Sequence, residues 1–180
     1  MSEYYEMKIA GLDRKLKLCA VNDKLDIAAF IMFSDVEVTV KSAEQLLAKS
    51  PEFDVIITAE SKGIPLAYEM ARQSGKSYVV ARKSVKLYMQ DVVSVKVKSI
   101  TTANEQTLHL DGEKAELLKG KRVLIVDDVI STGESLKALE ALVQQAGGEI
   151  AGEAAVLAEG DAANREDIIF LDPLPLFFKD

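Results

Sequence analysis

Residues 123–135 read Val-Leu-Ile-Val-Asp-Asp-Val-Ile-Ser-Thr-Gly-Glu-Ser and combine acidic, hydroxyl and glycine residues in one short stretch. The four aliphatic residues at its start predict a buried strand, and the carboxylates Asp127 and Asp128 are expected where this strand leaves its sheet. The turn from Ser131 to Gly133 leads into a predicted helix, whose N-terminus offers unpaired N–H groups and a partial positive charge that bind phosphate. Because carboxylates accept hydrogen bonds from vicinal hydroxyl groups, the stretch predicts a pocket for a ribose 5-phosphate.

The small side chains of the turn support this interpretation. Gly133 allows the backbone to approach a phosphate closely and to adopt a positive φ, and the neighbouring serine and threonine side chains add hydroxyl donors. The simpler alternative is that Asp127 and Asp128 cap a helix beside an ordinary turn. That alternative explains one acid and one glycine, but it does not explain the whole stretch.

The order of four apolar residues, Asp-Asp, two apolar residues and Ser-Thr-Gly resembles the phosphoribosyl pyrophosphate motif of the type I phosphoribosyltransferases. The resemblance implies that Asp127 and Asp128 hold the ribose. The residues implied to bind its 5′-phosphate are Ile130, Ser131, Thr132, Gly133, Glu134 and Ser135. Many family members have a second glycine at the position of Glu134. We expect the Glu134 carboxylate to point to solvent in the first helical turn, where it interacts favourably with the helix dipole.

Two further segments carry groups that suit a pyrophosphate. Glu60-Ser61-Lys62-Gly63 resembles a family turn, often with a cis peptide, that binds pyrophosphate through its backbone amides. Residues 82–87 resemble the start of a flexible loop in purine-specific members, whose cations would neutralise charge on the leaving group. From the residues alone, an ordinary turn and solvated charges at a strand end remain alternatives. The residues implied to bind pyrophosphate are Ser61, Lys62, Gly63, Arg82, Lys83 and Lys86.

The residues that contact the base are less well defined by the resemblance. In adenine phosphoribosyltransferases a glutamate that contacts the base falls near the position of Thr102, within the sequence Ser-Ile-Thr-Thr-Ala-Asn-Glu at 99–105. The start of this segment, Ser-Ile-Thr, is more similar to xanthine phosphoribosyltransferase and to the related purine repressor. Phe30 and Phe33 are candidates to stack on a purine, with packing in the hydrophobic core as the alternative.

The resemblance implies transfer of phosphoribose from phosphoribosyl pyrophosphate (PRPP) to a purine, nominally adenine and alternatively xanthine, in purine salvage. It also implies a homodimer and a Mg²⁺ cofactor that is held by substrate oxygens, with no direct protein ligand. The alternative class is a non-catalytic regulator that binds PRPP, as the purine repressor does. Only about 50 residues precede the predicted sheet and they are not basic, which favours the enzyme over a DNA-binding regulator.

Alternating strands and helices are expected to position these segments. Short apolar runs and helical apolar spacing predict the order strand, helix, strand, strand, helix, strand. The predicted strands are 54–58, 77–81, 122–126 and 151–158, and the predicted helices are 64–74 and 134–146. Such alternation predicts parallel β-α-β units, in which ligands bind beyond the carboxyl ends of the strands.

The predicted fold class is therefore α/β, a mainly parallel twisted sheet with helices on both faces, as in the type I phosphoribosyltransferases. One domain spans 1–180, with a core at about 50–160 and a small hood from 1–50 and 160–180. Residues 83–110 are expected to form an inserted hairpin, with strands at 93–98 and 107–110, or a mobile loop. Residues 159–166 are interpreted as a solvated loop.

The composition limits the classes of partner and compartment. The 180 residues carry a formal net charge of −7, which disfavours binding to nucleic acid. The single cysteine, Cys19, excludes an internal disulfide and a cysteine-based zinc cluster. No apolar run approaches the ~20 residues that cross a bilayer, and the first residues do not resemble a secretory signal. We therefore expect a cytoplasmic protein with no membrane partner.

Overall fold

The computed structural model describes residues 3–98 and 105–179, which form eleven strands, four α-helices and a short 3₁₀ helix at Gly160–Asn164. The strands are β1 (Tyr4–Ile9), β2 (Leu12–Asn22), β3 (Leu25–Ala29), β4 (Val55–Ala59), β5 (Ser77–Ala81), β6 (Val93–Lys98), β7 (Glu105–Leu110), β8 (Arg122–Ile130), β9 (Glu149–Glu159), β10 (Ile169–Leu174) and β11 (Leu176–Phe178). The helices are α1 (Val36–Lys49), α2 (Ile64–Ser74), α3 (Gly112–Leu118) and α4 (Glu134–Gln145). Within the described ranges, no helix is long and apolar enough to cross a membrane.

A parallel sheet of five strands, in the order β10-β9-β8-β4-β5, forms the centre of the molecule. The two predicted helices correspond to α2 and α4, and the four predicted strands correspond to β4, β5, β8 and β9. The edge strand β10 comes from the segment that the sequence assigns to the hood. The carboxyl ends of the parallel strands meet at one edge of the sheet, where ligands bind in folds of this kind.

β8 is longer than the strand predicted at 122–126, because the apolar residues Val129 and Ile130 continue its pairing with β9 as far as Ala158. The expectation that Asp127 and Asp128 follow the strand is therefore wrong. Both acids lie inside β8, with their backbone held in the sheet. This position fixes the two carboxylates more firmly than a loop would.

Alternate residues of the sheet pack into two hydrophobic cores, because successive side chains of a strand point to opposite faces. On one face, Ile57 packs in the core that contains Leu139 of α4 and Leu108 of β7. On the other face, Ile56 packs in the core that contains Leu46 of α1 and other residues of α2 and the first strands. Helices cover both faces of the sheet, so the predicted fold class is confirmed.

Strands β1, β2, β3 and β11 form a separate antiparallel sheet, which we call the hood. Pro175 alone separates β10 from β11, and Leu176 of β11 then pairs with Ile27 of β3. The Ala10 N–H also donates to Asp172 Oδ2 of β10 at 3.1 Å. The hood is thus connected directly to the edge strand of the parallel sheet.

The expected hairpin consists of β6 and β7, which begins at Glu105 rather than at the predicted residue 107. The backbones of Arg82 and His109 exchange two hydrogen bonds of 2.9 and 2.8 Å, which attach the hairpin to the end of β5. Residues 99–104, including Thr102, lie outside the described residues.

Candidate active site

A cavity of about 340 Å³ opens at the carboxyl ends of the parallel strands, beneath the hood. The segments that surround it are the end of β3, the turns after β4 and β5, part of β7, the second half of β8 with the turn that follows it, and the ends of β9 and β10. The residues that line it include Ala28, Phe30, Ser61, Lys62, Lys83, Asp127, Asp128, Ser131, Ser135, Glu159 and Leu174. The structure therefore brings the predicted ribose residues and part of the predicted pyrophosphate residues to one cavity.

The two β8 carboxylates form a buried acceptor pair in this cavity. Asp128 is 3% exposed, and within the described part of the chain its Oδ2 accepts no hydrogen bond. The nearest cation to this oxygen is the Lys62 ammonium, with Nζ at 3.3 Å. Asp127 Oδ1 accepts the Asp128 N–H at 2.8 Å. A buried oxygen without a donor is costly, so a ligand hydroxyl group that donated to Asp128 would be bound favourably.

The proximity of the two acids also affects their protonation. Burial, and then the adjacent Asp128 carboxylate, raise the pKa of Asp127 well above its usual range, while the charge of Lys62 opposes this shift. One proton shared near this pair would reduce the repulsion between two carboxylates that cannot both be solvated.

A second, smaller cavity of about 40 Å³ lies in the turn between β8 and α4. It shares Asp127, Val129, Ser131 and Ser135 with the larger cavity, so the two are continuous. The residues of the turn that line it are Ile130, Ser131, Thr132, Gly133, Glu134 and Ser135. This cavity at the start of a twelve-residue helix has the position and donors that a phosphate group requires.

Gly133 precedes the first residue of α4 and has φ +80°, the left-handed conformation that favours glycine. A Cβ at this position would lie 3.1 Å from Arg165 Nη1, so a guanidinium group lies directly behind the turn. Glu134 occupies the first turn of α4 and lines the small cavity, and the expected orientation of its carboxylate toward solvent stays a prediction. The sequence does not indicate this position of Arg165, because 32 residues separate it from the turn.

The turn after β4 places Ser61 and Lys62 in the larger cavity, and its Glu60–Ser61 peptide bond is cis. Gly63 lies against Asp127: a Cβ on Gly63 would come 3.2 Å from Asp127 Oδ1 and closer still to Thr58 Oγ1. The absence of a side chain at Gly63 therefore allows this turn to pack against the β8 acids.

Glu60 links this turn to the segment that follows β5. Its Oε1 accepts the Lys83 N–H at 2.6 Å, and its Oε2 forms an ion pair with Arg82 Nε at 3.1 Å. The Lys83 N–H first, and then the charge of Arg82, lower the pKa of Glu60. Glu60 is thus an anion that holds the two predicted pyrophosphate segments together.

The three cations after β5 have different positions. Lys83 lines the larger cavity. Arg82 faces away from it, pairing with Glu60 and donating from Nη1 to the Tyr88 hydroxyl at 3.2 Å. Lys86 donates from Nζ to Ser84 Oγ at 2.8 Å and does not line the cavity. Of the three, the structure brings only Lys83 to the site.

The two aromatic candidates for the base also differ. Phe30 is 5% exposed and contributes to the wall of the larger cavity while packing in the core beneath the hood. Phe33 is 48% exposed and lies in a separate groove with Val36 and Tyr68. Phe30 therefore packs in the hydrophobic core and lies in the cavity wall, whereas Phe33 does neither, and the stacking of Phe30 on a purine stays a prediction.

Glu159 lines the cavity, although the sequence analysis assigned it to a solvated loop. It is the last residue of β9, opposite Leu174 of β10. Its place directly after the apolar run 151–158 was a usable signal, because the residue that ends a parallel strand faces the ligand edge. Among the described residues, no group of three or more His, Cys, Asp or Glu side chains is arranged to hold a metal ion.

Comparisons with known proteins show which family of proteins this chain is similar to. Residues 37–172 match the model of the phosphoribosyl transferase domain family. The adenine phosphoribosyltransferase of Chlorobium phaeovibrioides is 31% identical over 150 residues, which cover 77% of this chain and 82% of that protein. The xanthine phosphoribosyltransferase of an Exiguobacterium species is 34% identical over 122 residues, covering 67% of this chain and 62% of that protein. The crystal structure of adenine phosphoribosyltransferase from Thermoanaerobacter pseudethanolicus superimposes with a TM-score of 0.66 at 26% identity, over 79% of this chain and 84% of that one.

Proposed function

Because the chain belongs to the phosphoribosyltransferase family, we propose that it transfers the phosphoribosyl group of PRPP to a purine base and releases pyrophosphate. The observation that carries the proposal is that three structural features line one continuous cavity. These are the carboxylates of β8, the turn before α4 with its small cavity, and the turn after β4. Ribose, 5′-phosphate and pyrophosphate each find a complementary group there.

In this proposal the backbone and hydroxyl groups of residues 130–135 bind the 5′-phosphate at the N-terminus of α4. Asp127 and Asp128 accept hydrogen bonds from the ribose hydroxyl groups, which supply the donor that Asp128 Oδ2 lacks. This arrangement holds C1 of the ribose at a fixed position in the cavity. Fixed positioning of the reacting carbon is a major source of rate enhancement in such a transfer.

The leaving pyrophosphate would contact Ser61, Lys62 and Gly63 on one side and Lys83 on the other. Cations placed where charge accumulates stabilise the transition state. Arg82 and Lys86 are also proposed to bind pyrophosphate. Because their side chains are bound to Tyr88 and Ser84, the loop that carries them must rearrange before either reaches the cavity. Glu60 supports these proposed pyrophosphate-binding residues because it holds the Lys83 backbone against the turn after β4.

Mg²⁺ is part of the proposal as a cofactor that would be held through the substrate and would offset part of the negative charge of PRPP. The Asp128 carboxylate, whose buried Oδ2 accepts no hydrogen bond from the described residues, would orient the ribose hydroxyl groups of PRPP when the ion is bound. The cytoplasmic location and the role in purine salvage expected from the sequence belong to the same proposal.

The base is proposed to be adenine, with xanthine as the alternative, since relatives carrying both names are similar to the chain. The Phe30 ring lies in the cavity wall and provides an apolar surface for a purine face. Phe33 has no place in this part of the proposal, because it lies outside the cavity.

A homodimer is also proposed, and the groove that contains Phe33, Val36 and Tyr68 is the surface we assign to a second copy. Val36 is 71% and Tyr68 54% exposed, and the Tyr68 and Tyr78 rings meet edge to face at 6.2 Å. Exposed apolar patches of this kind mark contact surfaces. The molar mass in solution tests this part of the proposal.

A panel of bases tests the proposed reaction. The protein is mixed with PRPP, Mg²⁺ and, separately, adenine, guanine, hypoxanthine, xanthine, uracil or orotate, and released pyrophosphate is measured. We expect turnover with adenine or xanthine and loss of it in Asp128→Asn. Turnover only with a pyrimidine, or none with any base, would refute the proposal; binding of PRPP without turnover would indicate a regulator.

A further inference from the structure

Glu159 is the cavity acid that the proposed function leaves without a role. Its carboxylate lines the cavity, is half-buried, and forms no hydrogen bond or ion pair with any residue in the described ranges. By contrast, Glu60 is bound to Arg82 and Lys83, and Asp128 faces Lys62. We propose that the Glu159 carboxylate contacts the purine and accepts the ring N–H proton that the base loses during transfer. This inference rests on the proposed function.

The order of segments along the sheet edge places the base beside Glu159. The proposed pyrophosphate turn follows β4, the ribose acids lie on β8, and Glu159 ends β9, on the far side of β8. A base that displaces pyrophosphate from C1 enters on the side away from the leaving group. Leu174 of β10 pairs with Glu159 there, and Phe30 packs in the same core as Leu174, so we assign these three residues to the base.

The proton balance of the reaction requires an acceptor on that side. A neutral purine carries one hydrogen on its imidazole nitrogens. When the N9 lone pair forms the bond to C1, the bond from C1 to the pyrophosphate oxygen breaks and its electron pair leaves with pyrophosphate. The ring N–H proton must then be given up, and in this proposal it passes to a Glu159 oxygen and afterwards to water.

The surroundings of Glu159 also affect its protonation. Burial raises the pKa of Glu159, and the positive charge of Lys62 opposes the shift. The other charged side chains that line the cavity are Asp127, Asp128 and Lys83, which the proposed function assigns to the ribose and the pyrophosphate, and Glu60, which pairs with Arg82. A base whose pKa lies closer to the working pH is a better proton acceptor when its proton is transferred in the transition state.

The test compares Glu159→Gln with Glu149→Gln. Glu149 is the same residue type on the same strand, exposed at the opposite edge of the sheet. We expect Glu159→Gln to lower kcat/KM for the base by roughly 100-fold, while ribose 5-phosphate affinity and the unfolding temperature stay unchanged. Glu149→Gln should match the wild type. Glu159→Asp should retain more activity than Glu159→Gln, because it keeps a carboxylate.

A second readout separates proton transfer from simple packing. An 8-aza analogue of the best base has a more acidic N–H and depends less on an acceptor, so Glu159→Gln should reduce its rate by a smaller factor. An equal reduction for both bases, wild-type activity in Glu159→Gln, or a change only in the KM for PRPP would overturn the inference. If the wild type itself shows no turnover, the proposed function fails instead, and the two failures are thus distinguishable.

Discussion

Replacement of Gly63 by alanine should damage the proposed pyrophosphate turn through one steric contact. Gly63 has φ −78° and ψ −10°, a helical conformation that alanine adopts without strain. An added Cβ would lie within 3.0 Å of Thr58 Oγ1 and 3.2 Å from Asp127 Oδ1. Thr58 is fully buried, so neither its side chain nor the β8 strand can move freely away.

The size of the effect follows from this contact. Overpacking of a buried site costs about 1–3 kcal/mol, and in a chain of this length each kcal/mol lowers the unfolding temperature by roughly 2–4 °C. A cost near 2 kcal/mol therefore predicts a decrease of roughly 4–8 °C. Displacement of the turn by up to about 1 Å should also reduce kcat/KM for PRPP by about 100-fold.

Thermal unfolding and pyrophosphate release measure the two effects in Gly63→Ala. Thr58→Ala removes Oγ1 and serves as the matched control. The double variant Gly63→Ala/Thr58→Ala should unfold at a higher temperature than Gly63→Ala and recover part of its activity. Wild-type behaviour of Gly63→Ala, or a double variant whose losses are the sum of the single ones, would refute the steric argument.

Asp128→Asn removes the carboxylate beside Lys62 and should weaken ribose 5-phosphate binding about 10-fold. This is the effect of losing a charge-assisted hydrogen bond of about 1.5 kcal/mol. If calorimetry finds equal affinity in the variant and the wild type, Asp128 does not have the proposed role. Lys83→Ala should raise the KM for PRPP by about 10- to 100-fold. Lys86→Ala should raise this KM less, because the Lys86 ammonium is bound to Ser84. Equal increases of KM in the two variants would show that both cations reach the substrate. Burial raises the pKa of Glu153 from 4.5 to about 8. Between these two pH values Glu153 is protonated in the folded state but ionised in the unfolded state. The free energy of unfolding therefore falls as the pH rises through this range. The unfolding temperature of Glu153→Gln should therefore decline less between pH 5 and 9 than that of the wild type, and parallel declines would contradict this assignment.

The regular elements could be predicted because their signals are local. The apolar spacing of residues 64–74 predicts a helix, and Gly75 ends it in a left-handed conformation with φ +70°. The stretch 123–135 likewise contains its own strand, turn and helix start, so its residue types indicate a phosphate site without knowledge of the fold. Both predictions needed only neighbours in sequence.

The parts that could not be predicted depend on pairing between distant residues. β8 continues beyond residue 126 because β9 pairs with it, and no property of β8 alone determines where that pairing stops. Glu60 bonds to Lys83, 23 residues away, and Arg165 lies behind Gly133. Phe30 and Phe33 have the same chemistry and similar surroundings in sequence, yet only the fold decides that Phe30 is buried and Phe33 exposed.

The one-residue connection at Pro175 limits how ligands can enter and leave. Leu174 lines the cavity and Leu176 pairs with the hood, so the hood cannot lift away without pulling on the edge strand of the parallel sheet. The opposite side of the cavity is bounded by the segment after β5, where Val85 is 54% and Leu87 fully exposed. We therefore expect substrates to arrive, and products to depart, past this segment rather than beneath the hood.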